Sequence, residues 1–206
     1  HIASRKAAAA LGVMLRYFND PRPPGDTIAT TAERLVSQMD SAGVKQSIVL
    51  AVAYWFGSPP LQGPSEAANV REENDWVAVA AGRFPDRIIG FCSVNPLRDY
   101  AVAEIDRCAA NRHISGLKLH LANSVVDLTD TTHVKRVAAA FRAANRHGFP
   151  IVMHMWTPAW VTDPKRGSAD AEIVLQALLP LAPRVPVQLA HLAGGGSFGE
   201  GADQAV

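Results

Sequence analysis

Apolar and polar positions follow one repeating phrase: an amphipathic helical stretch, a glycine or proline break, then a short run apolar on both faces. Such periodicity is the primary sequence signal of secondary structure. Residues 3–18, rich in alanine, leucine and aromatics, predict a helix. Pro21-Arg22-Pro23-Pro24-Gly25 ends it, since proline lacks the amide hydrogen that a helix interior needs. A second helix is predicted from the capping-box spacing of Thr30 and Glu33. It places Ala32, Leu35, Val36 and Met39 on one face and Gly43 at a left-handed C-cap. Residues 47–53 then read as a strand covered on both faces, opening into an aromatic and Pro/Gly loop over residues 54–66.

The phrase recurs. A helix over 67–82 precedes a strand over 87–94, and a helix over 101–111 precedes a strand over 114–120. A helix with Val134, Val137, Ala138, Phe141 and Ala144 on one face, closed by His147-Gly148, precedes a strand over 149–155. A helix with Ile173, Val174, Ala177 and Leu178 precedes a strand over 185–191. Five strands alternating with helices predict an α/β fold with a parallel sheet and right-handed crossovers. Two architectures fit: a complete doubly wound sheet, or a stretch of an eight-fold barrel. A whole barrel takes about 250 residues, so this one would be cut short at both ends.

Composition narrows the class. With 206 residues and 48% hydrophobic content, one domain over 1–206 is the simplest reading. A net charge of +1 gives no basic stripe, which argues against nucleic acid and acidic membrane surfaces and for a small-molecule partner. Homo-oligomerisation stays open. Cys92 and Cys108 are too few for a disulfide framework and fit a reducing, cytoplasmic setting. No apolar run reaches the roughly 20 residues needed to cross a bilayer. The chain begins without methionine, as a fragment or processed product would. The GxGxxG fingerprint of dinucleotide sheets is missing after the early strands, as is a Walker motif, and Gly194-Gly195-Gly196 after the last strand lacks the lysine of a phosphate cradle.

The candidate chemistry sits at strand ends, because ligands bind beyond the carboxyl edge of parallel strands. His154 and His191 each finish an apolar run, where an imidazole is costly to bury unless its nitrogens find partners. Two on successive strands suggest a shared metal ion. Lys118 and His120, two apart, share a face, while Leu117, Leu119 and Leu121 share the other. They could bind a substrate anion or complete the metal site. His113, His133 and His147 fall at helix starts or helix-to-strand turns and read as structural. Trp55, with Tyr54 and Phe56, and Trp156, with Trp160, are candidate walls for a flat substrate. Arg98, after Asn95-Pro96, is a candidate carboxylate clamp.

These residues resemble a known family. Met39-Asp40-Ser41-Ala42-Gly43-Val44, Pro85-Asp86-Arg87-Ile88-Ile89-Gly90-Phe91 with Asn95-Pro96, Gly116-Leu117-Lys118-Leu119-His120 and Ala190-His191-Leu192-Ala193-Gly194-Gly195-Gly196 carry the likeness through their order across residues 28–196. Together they resemble the amidohydrolase-related branch of the amidohydrolase superfamily, which includes the aminocarboxymuconate-semialdehyde decarboxylase-like enzymes. The resemblance implies a partial (β/α)8 TIM barrel, about strands 2 to 6 plus the end of strand 1, and a divalent metal, zinc first among the candidates. It gives His154 and His191 the ligand positions of the barrel's fifth and sixth strands. His1 would be the second histidine of a His-x-His on the first strand. A catalytic aspartate from the eighth strand would lie beyond Val206. The implied activity is a metal-dependent hydrolase acting on a small carboxylated or cyclic substrate through metal-activated water, whose pKa falls from 15.7 to about 7. The alternatives are a metal-dependent decarboxylase of the same family and a non-catalytic α/β anion-binding module.

Overall fold

The computed structural model describes residues 3–18, 31–155 and 166–190. Its framework is one five-stranded, wholly parallel sheet: β1 (Ser47–Leu50), β2 (Ile88–Ser93), β3 (Ile114–His120), β4 (Ile151–His154) and β5 (Val187–Ala190). The spatial order β1-β2-β3-β4-β5 repeats the chain order. A doubly wound sheet reverses direction at a switch point. This sheet never does, so it is a curled part of a (β/α) barrel, as the resemblance implies.

The helices are α1 (Arg5–Tyr17), α2 (Ala32–Ser41), α3 (Glu66–Arg83), α4 (Ala101–Ala109), α5 (Thr131–His147) and α6 (Arg166–Ile173). Ser4 caps α1 by accepting from the Ala7 amide, and the Ser4 amide donates to Glu73 Oε1 of α3 at 3.2 Å. The start of α2 differs from expectation. Thr31, not Thr30, is the N-cap, its Oγ1 accepting from the Arg34 amide, while Glu33 pairs with Arg83. The end of α2 matches: Gly43 adopts φ 67°, and the Gly43 and Val44 amides reach back to the Asp40 and Met39 carbonyls. That is the paired 5→2 and 6→1 closure that only a left-handed residue permits. Gly148 closes α5 in the same conformation, and Asp130 caps its start.

One face of the sheet packs under the helices. Val49, Cys92, Leu117, Leu119, Ile151 and Met153 meet Val77, Ile105, Phe141 and Leu178 in one core. The alanines on the buried face of α5 are small enough to bring that helix close to the strands. After α6 the chain widens into a π turn over Val174–Leu178 and tightens into a 3-10 turn over Leu179–Leu181. Pro180 has no amide hydrogen to carry an α-helical ladder further.

The other face differs from the two-sided burial expected of residues 47–53. Ile48 is 50% exposed, and with Ile89, Phe91, Val152 and Gln188 it lines an open trough of about 320 Å³. β1 is also shorter than expected, giving way to 3-10 turns over Ala53–Gly57 and Pro59–Leu61. Among the described residues, no helix is long and apolar enough to cross a membrane.

Candidate active site

The carboxyl ends of β3 and β4 bring two histidines together. Register pairs His120 with His154, and their rings stack with centroids 3.9 Å apart and planes 12° from parallel. Tyr54, from the turn after β1, lies over the same column, its ring 5.0 Å from that of His120. The orientation of His120 is fixed locally: its Nδ1 accepts from the Asn123 amide at 3.2 Å. A neutral His120 therefore carries its proton on Nε2.

Lys118 shares that face of β3, two residues earlier and opposite Ser93 and Val152. Only 3% of it is exposed, and its ammonium makes no hydrogen bond or ion pair with a described residue. Burial pulls its pKa from 10.5 down to about 8, because removing water disfavours the charged form. The other buried charged groups in the described parts all have partners. Glu66 binds Arg98 and Tyr100, Glu73 accepts from the Ser4 amide, Glu104 binds Arg107 and Asn74, and Asp170 binds Arg166.

The loops above the strands form a tied rim. Ser58 Oγ donates to the Asn123 carbonyl at 2.6 Å. Asn95 Nδ2 donates to the Gly57 carbonyl at 2.7 Å and the Ser124 carbonyl at 3.4 Å, so one buried amide joins the loops after β1, β2 and β3. Val125 holds φ 55° beside it, a conformation a β-branched residue adopts only under constraint. Below the rim, Asn74 of α3 brackets Ser93 by accepting from its amide and donating to its carbonyl. None of Ser58, Asn74, Ser124 or Val125 was singled out from sequence, because each acts through contacts between distant loops. Asn95 stood only inside a motif.

Of the predicted wall, Tyr54 and Phe56 are buried and Trp55 is partly so, its ring edge-on to Tyr54 at 6.2 Å. Burial raises the Tyr54 hydroxyl pKa, leaving it a neutral phenol. Arg98 already grips a carboxylate: Nε and Nη2 bind Glu66 at 2.7 and 3.1 Å, and Tyr100 donates to the same group. His1, His191, Trp156 and Trp160 lie outside the described residues. His147 binds Asp106 at 2.7 Å and His133 Nδ1 accepts from the Asp127 amide, both away from the column. Among the described residues, no three His, Cys, Asp or Glu side chains form a metal-binding group. Of the three histidines expected at a metal, His154 alone lies among the described residues.

Solved structures with similar folds include several decarboxylases and a putative amidohydrolase from Staphylococcus aureus. The chain is 22% identical to 5-carboxyvanillate decarboxylase from Sphingomonas paucimobilis, with a TM-score of 0.63 over 85% of this chain and 55% of that one. The Novosphingobium aromaticivorans 5-carboxyvanillate decarboxylase, complexed with manganese and 4-hydroxy-3-methoxy-5-nitrobenzoic acid, is 19% identical, with a TM-score of 0.69 over 93% and 63%. The Polaromonas sp. JS666 dihydroxybenzoic acid decarboxylase, with manganese and 2-nitroresorcinol, is 17% identical, with a TM-score of 0.59 over 88% and 62%. The chain thus spans less than two thirds of these relatives' length. A search of curated proteins found no match. The family model described as amidohydrolase matches residues 21–205, the whole described sheet and every helix after α1, and the chain therefore belongs to the amidohydrolase family.

Proposed function

We propose that this chain carries the substrate half of a metal-dependent decarboxylase acting on a small aromatic carboxylic acid. The observation that supports it most is the His120–His154 column beside the buried Lys118, at the carboxyl edge of a family sheet whose solved neighbours include 5-carboxyvanillate and dihydroxybenzoate decarboxylases. This reading takes the decarboxylase alternative over the hydrolase. The hydrolase remains the second reading, favoured by the family's description.

His154, with His1 and His191, would hold a divalent cation. Manganese is named for two neighbours, and zinc is the expectation from sequence. Such a cation supplies Lewis acidity toward a substrate oxygen. His120 stacks on His154 beside that position, and Lys118, 3% exposed, would offer positive charge there. Tyr54, Trp55 and Trp156 would flank the ring. Arg98 would act only through N–H groups left over from Glu66.

The test is release of carbon dioxide from 2,6-dihydroxybenzoate and 5-carboxyvanillate by manganese-loaded protein made from the full reading frame, with esters and amides of the same acids assayed for hydrolysis. Carbon dioxide release that disappears in His154→Ala is expected. Hydrolysis without carbon dioxide release would favour the hydrolase, and no turnover of either kind would reject both readings.

A further inference from the structure

Stacking on His154, with planes 12° apart, sets the plane of the His120 ring. It leaves two orientations open, related by a half-turn about Cβ–Cγ that exchanges Nδ1 with a carbon. The Asn123 amide decides between them: it donates to Nδ1 at 3.2 Å and would face a C–H after the turn. That bond stands at the long end of the usual range, so a small retreat of the Asn123 peptide would release the ring.

Ser58 opposes that retreat. Its hydroxyl donates to the Asn123 carbonyl at 2.6 Å, near the short end for such a bond, with the Tyr54 carbonyl also in reach at 3.2 Å. Ser58 is wholly buried, which keeps bulk water from competing for the hydroxyl. The turn after β3 is held at the next residue as well. Asn95 Nδ2 donates to the Ser124 carbonyl, and the Ser124 amide returns to the His120 carbonyl at 3.0 Å. We propose that Ser58, whose own bonds go to backbone carbonyls, is a positioning residue that fixes the His120 ring, and with it the stack on His154, through the Asn123 peptide. Only the Nδ1 edge of His120 is involved. The consequence for turnover rests on the decarboxylase reading, whereas the orientation of the ring does not.

The experiment reads the ring nitrogens of His120 by 15N NMR in zinc-loaded protein made from the full reading frame, diamagnetic zinc keeping the ring signals sharp. Carbon dioxide release from 2,6-dihydroxybenzoate is followed on the manganese-loaded form. The native protein is expected to show one ring form with Nδ1 unprotonated. Ser58→Ala should give a second form or averaged nitrogen signals, with kcat about tenfold lower at little-changed KM. Ser58→Thr, which returns the hydroxyl, should restore both. Should either variant fail to fold, Ser58→Cys, a poorer donor, should fall between native protein and the alanine variant. Asp130→Ala removes the N-cap of α5, at a similar cost in stability, and should leave the His120 signals as in the native protein. Unchanged ring signals in Ser58→Ala, a protonated Nδ1 in the native protein, or the same ring change in Asp130→Ala overturns the assignment. A Ser58-dependent ring form without carbon dioxide release keeps the positioning role and removes the decarboxylase reading. Carbon dioxide release without that dependence does the reverse.

Discussion

Gly116 leaves no room for a side chain: a Cβ there would meet ring atoms of Phe91 at 2.3 to 2.6 Å. The cause is a register shift, in which Gly90 faces Ile114 but Cys92 faces Leu117, so β3 carries one extra residue opposite Phe91. Gly116→Ala is expected to destabilise by about 1–3 kcal/mol, and Phe91→Leu should recover part of the loss, as denaturant unfolding would read. Sequence alternation put Lys118 and His120 on one face, which the strand confirms, but the constraint on Gly116 comes from a neighbouring strand and left no local mark. Lys118 carries its own prediction. Its amine holds a proton only up to about pH 8 when folded and up to about 10.5 when unfolded. Between those values the unfolded chain binds more protons, so stability rises with pH across that window. Below it, the buried ammonium costs roughly 3 kcal/mol. Lys118→Met should therefore stabilise the protein at pH 7 and flatten the rise toward pH 10, measured by unfolding at both.

The loops after β1, β2 and β3 behave as a unit because Asn95 ties them together and its Oδ1 accepts from the Leu97 amide at 2.9 Å. Asn95→Ala would take the Asn95 donor from the Ser124 carbonyl and leave the Gly57 carbonyl only Gln62 Nε2, at 3.1 Å. We expect a loss of about 2–3 kcal/mol and faster amide hydrogen exchange through residues 121–126, read by mass spectrometry. Legibility at this level followed from how local each signal was. α5 was readable because its apolar face, Asp130 and Gly148 lie within one stretch of chain. The cap at Thr31 was displaced by one residue, since adjacent threonines offer the same chemistry and only backbone geometry chooses. The π turn after α6 was not readable, because Pro180 announces a break without saying how the preceding turn adjusts.

Among the described residues the sheet has one face under the helices and one that opens into the trough at Ile48, which is 50% exposed. Ile48→Glu should reduce binding of a hydrophobic fluorescent dye while changing stability by less than about 1 kcal/mol. The alternation of helices and strands was legible from sequence, and strand order decided between the two architectures it allowed. The site was legible where it lay on strands, at Lys118, His120 and His154, and less so in the loops, whose roles depend on closure between segments far apart in sequence. Strand order has one more consequence. Each strand pairs with the one synthesised just before it. These five strands can add at a single edge as the chain leaves the ribosome, so among the described strands none waits for a distant later one to close a long loop. Ribosome-bound nascent chains long enough to expose β4 should already resist proteolysis through β1, β2 and β3.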